Sequence, residues 1–130
     1  MGNFPSFNRW SEWNGKYRDD MRDFLKGGIS HTSAALQRIS GSPDIYGPKI
    51  RSTHASVNFL TCHDGFTLYD LYAYNEKHNQ ENGWGNTDGT DDNRSWNCGA
   101  EGPTDDKEVL DLRFRMMRNA CSASLRGTSQ

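Results

Sequence analysis

Ser56-Val57-Asn58-Phe59-Leu60-Thr61-Cys62 runs directly into His63-Asp64-Gly65, and this passage carries the main evidence for a fold class. The part before His63 is rich in strand-forming residues and only weakly alternating, which is typical of a parallel strand covered on both faces. In parallel α/β folds, binding and catalytic groups collect at the carboxyl ends of the strands. We therefore predict a strand over residues 56–62 and a functional site directly after it.

Two side chains at the end of this strand could carry chemistry. The carboxylate of Asp64 can accept hydrogen bonds from sugar hydroxyls or stabilise a developing positive charge, and His63 can donate to a neighbouring hydroxyl. The alternative is a structural turn, in which Asp64 caps the helical turn near Thr67 and His63 only packs. The pattern by itself leaves both interpretations open.

The amino-terminal part of the chain predicts a short strand followed by a helix. Residues 9–13 alternate in polarity, and Asn14 directly after them suits an N-cap. Apolar residues then follow at the spacing of one helix face, and Gly27-Gly28 ends the pattern. The apolar positions are Tyr17, Met21, Phe24 and Leu25.

Two more helices are predicted further along the chain. The first covers residues 33–39, with Thr32 or Ser33 as its cap and Gly41 at its end. The second covers residues 105–120, with Thr104 as its cap. Its broad apolar stripe consists of Val109, Leu110, Leu112, Phe114, Met116 and Met117.

Residues 75–103 have no apolar periodicity and are rich in Asn and Gly. A loop of this length is uncommon in a compact domain and is usually functional or disordered. Trp84 and Trp96 favour a functional loop, because disordered segments are poor in aromatic residues. Within the loop, Asp88-Gly89-Thr90-Asp91-Asp92-Asn93 offers oxygen ligands for calcium but lacks the EF-hand spacing, so a solvated turn is favoured over a calcium loop.

The composition excludes several classes of partner. The 130 residues carry 15 basic and 17 acidic side chains, a net charge of −2, whereas nucleic-acid binding needs a clustered basic excess. No run approaches the roughly 18 apolar residues of a membrane span, and the start lacks a signal-peptide pattern. Cys62, Cys98 and Cys121 form no CxxC pair, so neither a metal site nor a disulfide framework is predicted. We expect a soluble, cytoplasmic chain with no nucleic-acid or membrane partner.

Two segments have a sequence that is highly specific to one protein family: His63-Asp64-Gly65-Phe66-Thr67-Leu68 and Ser95-Trp96-Asn97-Cys98-Gly99. Further segments along residues 2–120 match sequences of the same family and follow one another in the family's order. They are Gly2–Pro5, Trp10–Asp19, Gly41–Asp44, Val57–Cys62, Tyr74–Asn79 and Asp88–Asn93. Together these segments resemble the glycogen and starch debranching enzymes, the isoamylase-type branch of the α-amylase superfamily.

The resemblance implies an α/β fold, a (β/α)₈ TIM barrel that hydrolyses α-1,6 branches of glycogen, starch or limit dextrin with retention. It implies that Asp64 is the catalytic transition-state stabiliser and that His63 binds the same sugar ring. It also implies that the long loop shapes the pocket, and it requires no cofactor. The loop residues expected to bind substrate are Asp88, Asp92, Asn93 and Trp96.

Departures from the family pattern limit what this chain is expected to do. In the family, the nucleophile and the general acid precede the stretch that matches Gly2–Pro5, and Glu12 matches a glutamate of the sixth strand rather than the acid. At the other end, residues 121–130 lose the apolar character of the family's helix. A truncated or frame-shifted reading frame would explain both departures.

The expected organisation is one partial catalytic barrel domain over residues 1–130, incomplete at both ends, since a full barrel needs about 250 residues. It would contain few strands, about four helices and an active-site-side loop over residues 75–103. We expect the isolated chain to be inactive and only marginally stable. The alternatives are a non-catalytic α-glucan-binding fragment and a calcium-stabilised structural module.

Overall fold

The computed structural model describes residues 10–47 and 55–126. Its strands are β1 (Glu12–Trp13) and β2 (Ser56–Val57), and its α-helices are α1 (Gly15–Leu25), α2 (Thr32–Ile39) and α3 (Lys107–Arg126). Short 3₁₀ turns cover Ile29–His31, Asp70–Tyr72 and Gln80–Asn82. The described part is thus a small mixed α/β arrangement. Within residues 10–47 and 55–126 there are three α-helices rather than the expected four or so, because the helical turn predicted near Thr67 is a short 3₁₀ turn.

The described residues fall into two compact units. The first comprises the residues up to Leu60 together with those from Ala120 onward, and the second comprises Thr61–Asn119. No helix in the described ranges is long and apolar enough to cross a membrane. Several predicted features lie outside the described residues: Gly2–Pro5, Arg9 of the predicted first strand, and residues 127–130. Residues 48–54 also lie outside them.

The two strands pair in parallel, Glu12 with Ser56 and Trp13 with Val57. The parallel strand predicted from the sequence is therefore present, but it is shorter than residues 56–62. The Arg22 side chain explains part of the difference, because its Nε donates to the Leu60 carbonyl oxygen at 2.8 Å. A long-range side chain thus takes a carbonyl group that a neighbouring strand would otherwise use.

Helix α1 begins where the sequence predicts. The side-chain oxygen of Asn14 accepts a hydrogen bond from Tyr17 N at 2.9 Å, which is an N-cap contact. The Asn14 amide group also donates to Ser42 Oγ and Ser56 Oγ, both at 2.9 Å, and the residue is fully buried. One residue therefore caps the helix and joins it to two other segments of the first unit. Gly27, with φ of 91°, follows the end of the helix as predicted.

Helix α2 has a different start from the predicted one. Its cap position is His31, which makes no side-chain capping hydrogen bond, so the prediction of Thr32 or Ser33 as the cap is wrong. The reason is that the 3₁₀ turn Ile29–His31 leads straight into the helix. Gly41, with φ of 88°, follows the end of the helix as expected.

A charge cluster in the first unit is centred on the buried Arg38 of α2. Arg38 is 1% exposed and forms ion pairs with Asp20 at 3.2 Å and with Asp44 at 2.5 Å. Asp44 is also paired with the exposed Lys16 at 3.0 Å. Burial raises the pKa of Asp44, but hydrogen bonds and charges from Arg38 and Lys16 outweigh it and hold the pKa below its usual range.

Helix α3 starts later and ends later than residues 105–120. Asp106 Oδ1 accepts from Glu108 N at 2.9 Å and from Val109 N at 3.4 Å, whereas Thr104 Oγ1 accepts only from Asp106 N. Asp106 therefore acts as the cap in place of Thr104. Within the predicted apolar stripe, Phe114 is 49% exposed, whereas Met116 is buried.

Candidate functional site

His63 and Asp64 lie side by side on a bend in the second unit. His63 Nε2 is 3.0 Å from Asp64 Oδ1, and the side chains are 79% and 70% exposed. Neither side chain is packed away, so the structural alternative in which His63 only packs is not what the structure has. Thr67 caps the following turn itself, because its hydroxyl oxygen accepts from Asp70 N at 3.2 Å.

Gly65 and Asn93 fix the backbone directly after this pair. Gly65 has φ of 78°, a left-handed conformation that glycine adopts without strain. A Cβ atom at this position would lie 2.6 Å from Asn93 Oδ1. The same oxygen accepts from Phe66 N at 3.4 Å, and Asn93 Nδ2 donates to Thr90 O at 2.9 Å. Asn93, which is 3% exposed, therefore ties the His63–Asp64 turn to the long loop.

The long loop is held together by its own asparagine side chains. Asn79 N donates to Asn86 Oδ1 at 2.8 Å, and Asn86 Nδ2 donates to Lys77 O at 3.2 Å. Asn82 Nδ2 donates to Asp88 Oδ2 at 2.8 Å, which closes the segment between these two residues. Asn side chains satisfy backbone groups that have no partner in a helix or sheet. The high Asn content of the loop thus reflects how its conformation is fixed.

The Glu101 carboxylate binds groups from both ends of the long loop. The sequence alone did not indicate this role for Glu101. Its carboxylate accepts from the backbone N–H groups of Asn75 and Glu76 at 2.8 and 3.2 Å. It also lies 3.0 Å from His78 Nε2 and accepts from Asn97 Nδ2 at 3.0 Å. Partial burial raises the pKa of Glu101, but these hydrogen bonds outweigh it and lower the pKa to about 2.

We expect the Glu101→Gln variant to lose stability at pH 7. Because the folded-state pKa of Glu101 is below the usual 4.5, the Glu101 carboxylate contributes its full stabilisation of the fold above about pH 4.5. This stabilisation is lost as the pH falls towards about 2. The side chain is 36% exposed, so solvent screening leaves about 1 kcal/mol. Urea unfolding at several pH values measures this, with the exposed neighbour Glu76→Gln as control. If the difference in unfolding free energy between the wild type and Glu101→Gln stays constant down to pH 2, the prediction is contradicted.

Arg113 is a second residue that the sequence reasoning missed. Its guanidinium group is fully buried and donates to the carbonyl oxygens of Ala73 at 3.4 Å, Asn97 at 3.2 Å and Ala100. It also donates to the Tyr69 hydroxyl at 3.3 Å and lies over that ring, 5.9 Å from its centroid. The helix α3 side chain thus holds both sides of the long loop from within the second unit.

The other predicted substrate-binding residues have structural partners in the described part of the chain. Asp88 Oδ2 is bonded to Asn82, and its Oδ1 is enclosed without a hydrogen-bond partner among the described residues. Asp92 Oδ1 accepts from Arg94 N at 3.0 Å, and Trp96 N donates to Leu71 O at 3.0 Å. Their roles in binding substrate stay predictions.

Two arrangements bear on metal binding. The side chains of Cys62, His63 and Asp64 place potential ligand atoms within 4.8 Å of one another, although the last two are exposed. In the alternative calcium loop, the carboxylates instead have separate protein partners: Asp88 pairs with Asn82, and Asp91 lies 2.7 Å from Lys77 Nζ. These contacts give the calcium interpretation no support.

Comparison with known proteins gives several close relatives. The chain is 55% identical over 119 residues to the glycogen operon protein GlgX homolog of Mycobacterium bovis, which covers 92% of the chain and 16% of that protein. It is 54% identical to isoamylase 3, chloroplastic, of Oryza sativa subsp. japonica, covering 92% of the chain and 15% of that protein. It is 49% identical to the glycogen debranching enzyme of Serratia proteamaculans, covering 96% of the chain and 18% of that protein. No protein-family model matches.

The relatives of the chain therefore belong to one class of proteins, the isoamylases and glycogen debranching enzymes. More particularly, the chain is homologous to one segment of the isoamylase-type debranching enzymes, which confirms the resemblance drawn from its motifs. It spans only 16% of the length of the first of these relatives.

Proposed function

We propose that this chain is part of a retaining glycoside hydrolase that cleaves α-1,6 branch linkages in glycogen or starch. The observation that carries the proposal is the exposed His63–Asp64 pair, which Gly65 and Asn93 hold on a fixed turn. This pair lies in a segment homologous to debranching enzymes. An exposed pair on a fixed turn of this kind is accessible to a sugar, and the backbone that carries it would lose little entropy on binding.

The proposed role of Asp64 follows from the chemistry of retention. One carboxylate attacks the anomeric carbon and a carboxylic acid protonates the leaving oxygen, through an oxocarbenium-like transition state. Asp64 would do neither; it would accept hydrogen bonds from hydroxyls of the reacting sugar and stabilise the positive charge that develops on the ring. The contact between His63 Nε2 and Asp64 Oδ1 directs the carboxylate, and the other ring nitrogen of His63 would then face a hydroxyl.

The proposed setting is a (β/α)₈ barrel, of which residues 1–130 form a part. Parallel strands need a crossover connection, usually helical, and α1 and α2 lie between the parallel strands β1 and β2. The loop over residues 75–103 would line the active site. We place the protein in the cytoplasm with a branched α-glucan as its partner, and we assign no cofactor.

A second candidate function is glucan binding without hydrolysis by this chain alone. The resemblance assigns neither of the two reacting carboxylates to a residue of this chain, whereas it assigns the sugar-binding pair to His63 and Asp64. The barrel segment would then hold a sugar ring without cleaving a bond.

The test measures binding and cleavage together on the purified chain. We expect calorimetric binding of a branched limit dextrin, no reducing ends above the blank, and an affinity about tenfold lower for Asp64→Asn, since hydrogen bonds to a charged group are lost. Asp111→Asn, on the exposed side of α3, is the matched control. Absence of binding would overturn the proposed role of the pair, and turnover lost in Asp64→Asn would overturn the expected inactivity.

A further inference from the structure

Trp84 presents its indole to solvent more fully than any other large apolar side chain described. It is 72% exposed, compared with 57% for Trp10 and 54% for Trp13. An indole contributes a large apolar surface, and leaving it in water forgoes the free energy that burial would provide. Because indoles are enriched at binding interfaces, an exposed indole on a loop that hydrogen bonds hold in place is a candidate contact for a ligand.

The backbone around Trp84 is fixed by local hydrogen bonds. Thr87 N and Thr87 Oγ1 both donate to Trp84 O, at 3.2 and 2.7 Å. Gly83 and Gly85 on either side have φ of 80° and 61°. The bond from Asn82 Nδ2 to Asp88 Oδ2 closes the segment that contains the indole. Because these hydrogen bonds form without a ligand, little backbone entropy would be lost on binding.

The sequence around Trp84 indicates what kind of ligand suits it. The segment from Gln80 to Asp88 contains no other aromatic or aliphatic side chain, only polar residues and glycine. A protein partner usually needs a contiguous apolar patch, which this segment does not offer. A pyranose ring has one small apolar face rimmed by hydroxyls, and it fits a single indole among amide and carboxylate groups.

We propose that Trp84 is a stacking platform for a glucose unit of the α-glucan, a binding position on the long loop separate from the His63–Asp64 pair. This inference rests on the proposed function, because it takes an α-glucan as the ligand. It assigns to Trp84 a role in affinity for the chain of the glucan rather than in bond cleavage. Trp96 differs, since it is partly buried and its backbone N–H is bonded to Leu71 O.

Calorimetric titration with maltoheptaose tests the inference on the full 130-residue chain. We expect Trp84→Ala to weaken binding up to about tenfold and Trp84→Phe to restore most of the affinity, because stacking needs an aromatic face. Trp10→Ala, which removes an exposed indole from the first unit, should leave the affinity unchanged. Circular dichroism spectra verify that the variants share the wild-type fold.

The outcomes separate this inference from the proposed function. Wild-type binding that Asp64→Asn weakens and Trp84→Ala does not would overturn the stacking role and leave the function standing. Equal weakening by Trp84→Ala and Trp10→Ala would also overturn it, since the effect would not belong to the loop. If the wild-type chain binds neither maltoheptaose nor limit dextrin, the proposed function fails and the stacking role fails with it.

Discussion

We expect Arg113→Met to lower the free energy of unfolding by about 3 kcal/mol, because hydrogen bonds to a charged group each contribute about 1.5–3 kcal/mol. Methionine fills much of the volume of the arginine stem but donates no hydrogen bond. The carbonyl groups of Ala73, Asn97 and Ala100 would lose a shared donor that is itself buried. Urea unfolding followed by circular dichroism measures the loss.

Two further variants make the Arg113 prediction specific. Arg113→Lys keeps the charge, but one ammonium group lacks the planar fork that reaches several oxygens at once, so we expect most of the loss to remain. Arg115→Met changes an exposed position on the same helix and should stay within about 0.5 kcal/mol of the wild type. If Arg113→Met is as stable as Arg115→Met, the guanidinium group does not hold the loop.

We expect Arg38→Met to lower the free energy of unfolding by about 2–3 kcal/mol at pH 7. Removing one member of a buried ion pair leaves its partner uncompensated, which typically costs about 3–5 kcal/mol. The partial exposure of Asp20 and Asp44, 24% and 29%, reduces that cost. Lys16→Met, which removes the exposed cation from the same Asp44, should cost less than about 1 kcal/mol.

The effect of Arg38→Met on the free energy of unfolding is also expected to depend on pH in a definite direction. The folded-state pKa of Asp44 is below its usual 3.8, so this carboxylate stabilises the fold above that pH and ceases to do so as the pH falls through the lower, folded-state pKa. The difference between the wild type and Arg38→Met should therefore narrow on acidification. A difference that widens below pH 4 would show that the ion pairs with Asp20 and Asp44 are not its cause.

The parts of the fold that could be predicted are those with local causes. Asn14 before a run with helical spacing is enough to place α1, because the cap contact joins residues three positions apart. The strand after Val57 could not be bounded in this way. Arg22, far away in the sequence, takes the carbonyl oxygen of Leu60, and no pattern within residues 56–62 reveals that contact.

The candidate site likewise has parts with local causes, which the sequence can indicate, and parts with long-range causes, which it cannot. The position of His63 and Asp64 follows from a motif, and the motif is continuous in sequence. Glu101 and Arg113 look like ordinary surface charges, and only folding brings backbone groups from distant segments to them. A charged residue that satisfies main-chain groups leaves no periodic signal in the sequence.

The bond between Asn82 and Asp88 also has a chemical consequence over time. Asn82 precedes Gly83, and asparagine side chains are among the thermolabile groups of proteins. Hydrolysis of this amide by water releases ammonia and leaves an aspartate facing Asp88, so an attractive contact at 2.8 Å becomes a repulsion between two carboxylates. The segment that carries Trp84 would then open, and an aged preparation would be distinguished from a fresh one by its added negative charge.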